Sequence, residues 1–487
     1  MQKNEDTQLA RSFGLGMAII LIISSIIGSG VFKKVGPMAE VLGSSRLVIW
    51  AWVLAGVVVL AGVVGVAELT SVFPDSGGPY AWFERIYGKM LSFLYGWSCF
   101  TVIQTAALAS VAYVFAGAVN TFLPLPHLSA EWEAWSILGI HFLDNIGAKI
   151  VTCLAIIGLT LANIRGAKNG GIISTIFTLL IVLAIVYVIG AAFGGSVGSW
   201  ETFDTHTTAF PKDGFTISAF IIAMFIAVRH AFFAFEGWMA LGFIGEEVKD
   251  PERNMPKALI YGILGIMLIY VAINMAYLYV MPINDMVNKL AADENNIAAV
   301  LVIDAIFGDG GAYLISGMIL ISTFGCTNAT ILMSGRVYYA MAREGWFFKS
   351  AGKVHKKYKT PHISLIYQCV WACLLVFSGS FDLLSDLVVI AAFAFYGLIV
   401  VGVIVLRVKR PDLERPYKAF GYPFVPAFFG LFCVVLLIVS FIESPGKGIA
   451  GLVLIFSGLP FYYFWKNKNQ HPDLLEVGEQ VEKDKIE

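Results

Sequence analysis

The sequence predicts an all-α integral membrane protein of about twelve transmembrane helices, two of them broken. Three observations carry this reading. Of 487 residues, 58% are hydrophobic and only 14% are charged, where a soluble domain carries about 25% charged residues. The apolar residues fall in runs long enough to cross a bilayer, which takes roughly 20 residues. Two runs are interrupted by glycine, in Ile26-Ile27-Gly28-Ser29-Gly30-Val31-Phe32 and in Phe233-Ala234-Phe235-Glu236-Gly237-Trp238. Unwound backbone at membrane depth survives only where it is buried in protein or lines a cavity.

The predicted spans, in order, are 13–41 (broken), 47–73, 88–119, 147–164, 170–193, 215–248 (broken), 256–281, 311–342, 362–379, 383–406, 421–442 and 448–465. An even number places both termini on one side. Arg11, Arg85, Lys89, Arg165, Lys168, Arg253, Lys257, the runs 349–359 and 407–418, and Lys466 with Lys468 fall on that side. The opposite connections are poorer in Lys and Arg and carry Glu131, Glu133, Asp144, Asp204, Asp293 and Glu294. By the positive-inside rule both ends are cytoplasmic and the protein sits in the cell membrane. Lys33, Lys34 and Arg46 break the bias and read as charges at the outer mouth of the first broken helix.

The ends and the cysteines add little. Residues 1–12 are polar and no cleavable signal peptide is visible, so the first span is expected to be retained. The tail 467–487 is charged, too short for a domain, and expected to be partly disordered. Cys99, Cys153, Cys326, Cys369, Cys373 and Cys433 all lie in apolar spans without disulfide or metal spacing. Six of the seven histidines sit in or near loops, and only His230 lies in a broken span, so no enzyme constellation and no cofactor or metal is expected.

The breaks are where chemistry is expected. Gly28, Ser29 and Gly30 lack the bulk that would keep a ligand from the backbone, and the amides at the start of the outer half-helix suit a carboxylate. Close helix packing is the competing reading, since small residues at this spacing are common in membrane helices. At the second break Glu236 places an ionisable group inside a span, where one costs about 2.5–3.5 kcal/mol or more unless paired or hydrated. Either it pairs with Arg229, seven residues earlier on the same helical face, or it recognises a cation or a proton. The charged stretch after the break, with Pro251 and Pro256, reads mostly as a solvated loop.

GSGVF in the first span, FAFEGW followed by EEVKDPERNMPKA, NIRGAKNGG after the fourth, and SGRVYYAMAREGWFFKSAGKVHKKYKTP after the eighth together resemble the amino acid–polyamine–organocation superfamily. The match is most similar to the L-type amino-acid transporter branch and runs in order over at least 13–410. The resemblance implies two inverted five-helix repeats, 13–193 and 215–408, with broken first and sixth helices, then two trailing helices over 421–466.

It also implies a secondary transporter that moves L-amino acids by alternating access, as a permease or antiporter for neutral amino acids with tolerance for cationic ones. Amides at Gly28, Ser29, Gly30 and Val31 would take the substrate carboxylate, and carbonyls around Phe233, Phe235, Glu236 and Gly237 the α-ammonium. Phe233 falls on the family's aromatic gate position. Gln104, Ser322, Thr323, Asn328 and Tyr396 are polar at plausible depth for the pocket, or equally for bonds between helices.

One departure bears on energetics. Proton-coupled relatives, and many L-type members, resemble FTxxK in the fifth span, whereas this chain reads Phe177-Thr178-Leu179-Leu180-Ile181, which removes coupling through a lysine. Exchange, or a different proton carrier, is expected instead. A proton-coupled carrier of cationic amino acids or polyamines is the alternative, but polyamines have no carboxylate for the first break. The expected partners are an amino-acid substrate and the lipid bilayer, with no nucleic acid; an accessory subunit is left open.

Overall fold

The computed structural model describes residues 11–75, 77–136, 141–207, 210, 216–292, 297–378 and 381–470. Residues 1–10, the tail beyond 470 with His471, and Asp293 and Glu294, to which the sequence reading assigned places, lie outside them. Among the described residues there are no strands, only isolated bridges at Phe13–Val248 and Ser44–His206. Ten helices among the described residues are long and apolar enough to cross a membrane, or eleven when one bent pair counts as a single span.

We number the apolar segments in chain order. The first is Leu15–Ile26 with Gly30–Leu42, bent by 43° at its break; then come Ser45–Val72, Lys89–Phe122, Ile146–Ile164, Ala167–Gly194, the broken sixth Ile217–Glu247, Pro251–Val280 and Gly311–Arg343. The ninth is His362–Ser378, followed by Leu387–Lys409, Phe424–Ile442 and Pro445–Lys468. The ninth segment has only 17 residues, short of the roughly 20 that span a bilayer, which accounts for the lower count. Pro251 opens the seventh helix at its first position, and Pro256 sits inside that helix rather than before it. It falls in the second turn, where only one backbone bond is lost.

Exposure sorts the segments. In the tenth, 72% of the most apolar window is buried, against 28% in the fifth. Leu179, Leu183 and Val186 of the fifth face outward, as a flank solvated by lipid tails does. Packing is regular: the second segment lies on the seventh, the third on the eighth and the fourth on the ninth. The first and sixth cross antiparallel, Leu15–Ile26 beside Trp238–Glu247 and Val35–Leu42 beside Ile217–Phe235. Backbone bonds pin both ends of this crossing, Phe13 N–H to Glu247 O at 3.0 Å and Thr207 N–H to Gly43 O at 2.9 Å.

A buried ion pair takes Glu247 out of the stretch read as mostly solvated, and a second buried carboxylate lies in the second segment. Glu247 and Arg336 are each 1% exposed and meet through Nε–Oε1 at 2.7 Å and Nη2–Oε2 at 3.2 Å. A desolvated pair survives when its geometry is this complete, and removing one member costs about 3–5 kcal/mol. Glu68, inside the second segment, accepts from Arg407 Nε at 2.9 Å and from the Ala419 amide at 2.7 Å, and is ion-paired with Arg415 at 3.2 Å. The basic run after the tenth segment is therefore partly a docking strap. The remaining charges near Lys249, Asp250, Glu252 and Arg253 are exposed.

Candidate functional site

The first helix loses its ladder after Ile26. Gly28 N–H turns back to Ile26 O at 2.8 Å, and helical bonding resumes only with Phe32 and Lys33 N–H to Ser29 O. The amides of Ser29, Gly30 and Val31 consequently donate to no backbone acceptor among the described residues. Ser322 Oγ of the eighth segment donates to the carbonyls of Ile27 and Gly28, at 2.9 and 3.0 Å. The break's carbonyls are thus satisfied from outside, and its amides are left over. That asymmetry makes it a place for an anion.

The sixth segment ends its α-helix at Phe235, and Glu236 is extended at φ −61°, ψ 146°. Gly237 takes φ +115°, a conformation L side chains avoid. A Cβ there would also lie 2.5 Å from Ser25 O of the first segment. Glu236 N–H is bonded to Phe233 O at 3.2 Å. Phe233 O is therefore engaged, and the carbonyls of Phe235 and Glu236 are the ones that accept nothing among the described residues. Tyr270 of the seventh segment ties the breaks together, its hydroxyl lying 2.8 Å from Ala234 O and 3.1 Å from Ile26 O.

Between the breaks lies a small cavity of about 30 Å³ lined by Ser25, Ile26, Gly28, Ser29, Gly30, Gln104, Ala107, Val111, Phe233, Glu236, Gly237, Cys326 and Thr330. Gln104 enters from the third segment just after a π-helical turn over Cys99–Ile103, a device that re-aims side chains and recurs at functional sites. Its side-chain amide makes no hydrogen bond among the described residues.

Of the two readings of Glu236, the ion pair with Arg229 does not form. The helix ends one residue before Glu236, so the seven-residue phase between them is broken. Glu236 Oε1 instead accepts Tyr396 Oη at 2.5 Å. Oε2 is shielded from solvent and has no hydrogen-bond partner.

Of the expected site residues, Gly28, Ser29, Gly30, Gln104, Phe233, Glu236 and Gly237 line the cavity. Val31 is not among the residues lining the cavity, and its side chain is fully buried. Phe235 turns away to Trp52 and Tyr270, at 6.2 and 5.0 Å between ring centroids. Tyr396 reaches the cavity through Glu236. Thr323 bonds its own helix at Ile319 O. Asn328 joins three segments, giving to Gly170 O and Ser174 Oγ and accepting from Asn163 Nδ2. Lys34, expected at the outer mouth, is 6% exposed, with Nζ 4.9 Å from the Phe233 ring centroid.

Sequence reasoning missed Cys326, Thr330 and Tyr270. Ser322, Cys326 and Thr330 form an i, i+4, i+8 stripe that spacing alone would have revealed; Cys326 Sγ reaches Ser25 O at 3.2 Å. Tyr270 carried no such signal.

Crossed broken helices, an apolar membrane body and a cavity between unpaired amides and carbonyls define a multi-pass membrane protein of the transporter class. The chain belongs to the Amino acid permease family, whose match covers residues 13–464. It is 31% identical to the serine/threonine exchanger SteT of Bacillus subtilis (strain 168), over 95% of this chain and 99% of that protein. Large neutral amino acids transporter small subunit 2 of Rattus norvegicus is 29% identical over 94% of this chain and 82% of its own length. Asc-type amino acid transporter 1 of Mus musculus is 29% identical over 96% and 83%.

Proposed function

We propose that this permease exchanges neutral L-amino acids across the cell membrane by alternating access, with both termini in the cytoplasm and two inverted repeats, 13–193 and 215–408, as its working halves. The observation that carries the reading is the complementarity of the breaks. The first offers the amides of Ser29, Gly30 and Val31, and the sixth offers the carbonyls of Phe235 and Glu236. A zwitterion placed between them has its carboxylate on donors and its ammonium on acceptors, so neither charge is desolvated without a partner. Phe233 covers the site, and Gln104, Cys326 and Thr330 meet the side chain.

Ile181, 2% exposed where proton-coupled relatives resemble a lysine, supports exchange over lysine-based coupling. The segment pairing, each of the first four on its counterpart five later, supports the repeat layout. Serine and threonine are the first probes, because a relative at 31% identity is named as their exchanger. The large neutral amino acids of another relative's name come second. That relative is named as a small subunit, so an accessory chain is worth seeking by co-purification. Reconstituted vesicles preloaded with serine should take up labelled serine much faster than empty ones, with no need for sodium. Uptake that follows a sodium gradient and ignores internal serine would reject exchange.

A further inference from the structure

The cavity between the breaks contains one acidic side chain among its lining residues, Glu236. Its Oε1 is taken by Tyr396 and its Oε2 is enclosed without a partner. The groups facing it are few. Tyr396 comes from the tenth segment, and Tyr95 and Cys99 of the third lie within its electrostatic reach. Cys326 stands on the eighth-segment wall of the same cavity. Lys34 of the first segment is applied to the Phe233 ring. Arg229 and His230, on its own helix, each have partners of their own.

An enclosed carboxylate without a cation leaves one negative charge unmatched in a medium that hydrates charge poorly. A zwitterionic substrate does not relieve this, because its two charges are already matched by amides and carbonyls. A lysine or arginine side chain does. The loaded cavity therefore balances charge in two ways: a neutral amino acid with a protonated Glu236, or a cationic one with an ionised Glu236.

Building on the exchanger reading above, we infer that Glu236 is a proton carrier that gives up its proton when a cationic amino acid enters, so that cationic-for-neutral exchange is electroneutral. The balance is simple. As the neutral substrate leaves on one side, the Oε2–H bond breaks and its proton goes to water there; the cationic substrate binds the carboxylate. After the carrier turns, the cation leaves and Oε2 takes a proton from the second side. Net, one cationic amino acid moves one way, and one neutral amino acid with one proton moves the other. No bond other than O–H is made or broken.

The test uses the full chain in proteoliposomes containing a pH dye, preloaded with L-serine and clamped with valinomycin and potassium. External L-arginine should release internal serine and make the interior more alkaline, at roughly one proton per arginine. The rate should be the same at zero and at inside-negative potential. Glu236→Gln should abolish the pH change. Arginine entry that accelerates at inside-negative potential with no pH change overturns the proposal, and so does failure of arginine to exchange while serine-for-serine counterflow proceeds. Loss of serine-for-serine counterflow, and of leucine-for-leucine as a second neutral probe, would instead overturn the exchanger reading on which this rests, and the proposal with it.

Discussion

In the first segment the chain unwinds over residues 27–29 and its carbonyls are claimed by Ser322, which leaves amides. In the sixth it unwinds at Glu236 and Gly237 and leaves carbonyls and a carboxylate. Both breaks contain glycine, yet the glycines serve different ends. A Cβ on Gly30 would lie 2.6 Å from Ala234 Cα, so this glycine lets the broken helices touch. Gly28 borders the cavity, where a Cβ would meet Cys326 Sγ at 3.3 Å. Both glycines line the cavity, but only Gly30 also presses against the backbone of the other broken helix.

The largest effects should come from forcing the crossing apart. Gly30→Ala and Gly237→Ala each place a carbon against backbone, and the latter adds about 1–2 kcal/mol for its left-handed conformation. Both should lower the yield of monodisperse protein after detergent extraction and abolish transport. Gly28→Ala should behave differently, extracting like wild type while raising KM about tenfold. Adding Cys326→Ala, which removes the sulfur that the new carbon meets, should restore part of the loss. If Gly28→Ala and Gly30→Ala fail to extract alike, the division of labour between them is wrong.

Next is the wall on the side of the sixth break. Phe233→Ala should reduce transport far more than Phe233→Trp at matched expression, because an aromatic plane both covers the cavity and receives Lys34. Tyr270→Phe removes one hydroxyl that spans both breaks. At about 1 kcal/mol for such a bond, KM should rise roughly fivefold with kcat little changed. A change in thermal stability with KM untouched would make Tyr270 a packing residue only.

Much of this was legible in the sequence. Glycine inside two apolar runs announced the breaks, and run lengths placed most helices to within a few residues. What stayed hidden depends on partners distant in sequence. Tyr270 looks like any aromatic in an apolar helix until Ile26 and Ala234 arrive beside it. Glu247 read as one charge of a solvated loop, and Glu68 drew no reading, because Arg336 and Arg407 come from segments far along the chain. The Arg229 alternative fails for a local reason, since it extends helical phase one residue past the point where the helix stops.

The smallest effect lies outside the breaks, just past the eighth segment. Tyr80 Oη donates to Glu344 Oε2 at 2.8 Å, and burial of that carboxyl, with Glu84 nearby, pushes it up to about 7. A carboxyl raised above its ordinary 4.5 contributes fully below that value and loses its contribution as pH rises through about 7. Wild-type thermal stability should therefore decline modestly over that window, and Glu344→Gln should flatten the decline. The same slope in the variant would exclude Glu344 as its source.

The central claim is that one break holds the substrate carboxylate and the other its ammonium. Competition against labelled L-serine uptake by serine, by its decarboxylated amine ethanolamine and by its deaminated acid glycerate tests this directly. Serine should compete fully and neither analogue appreciably, because each leaves one break facing no charge. Equal competition by ethanolamine would contradict the account, since a ligand without a carboxylate would then need nothing from the amides of Ser29, Gly30 and Val31.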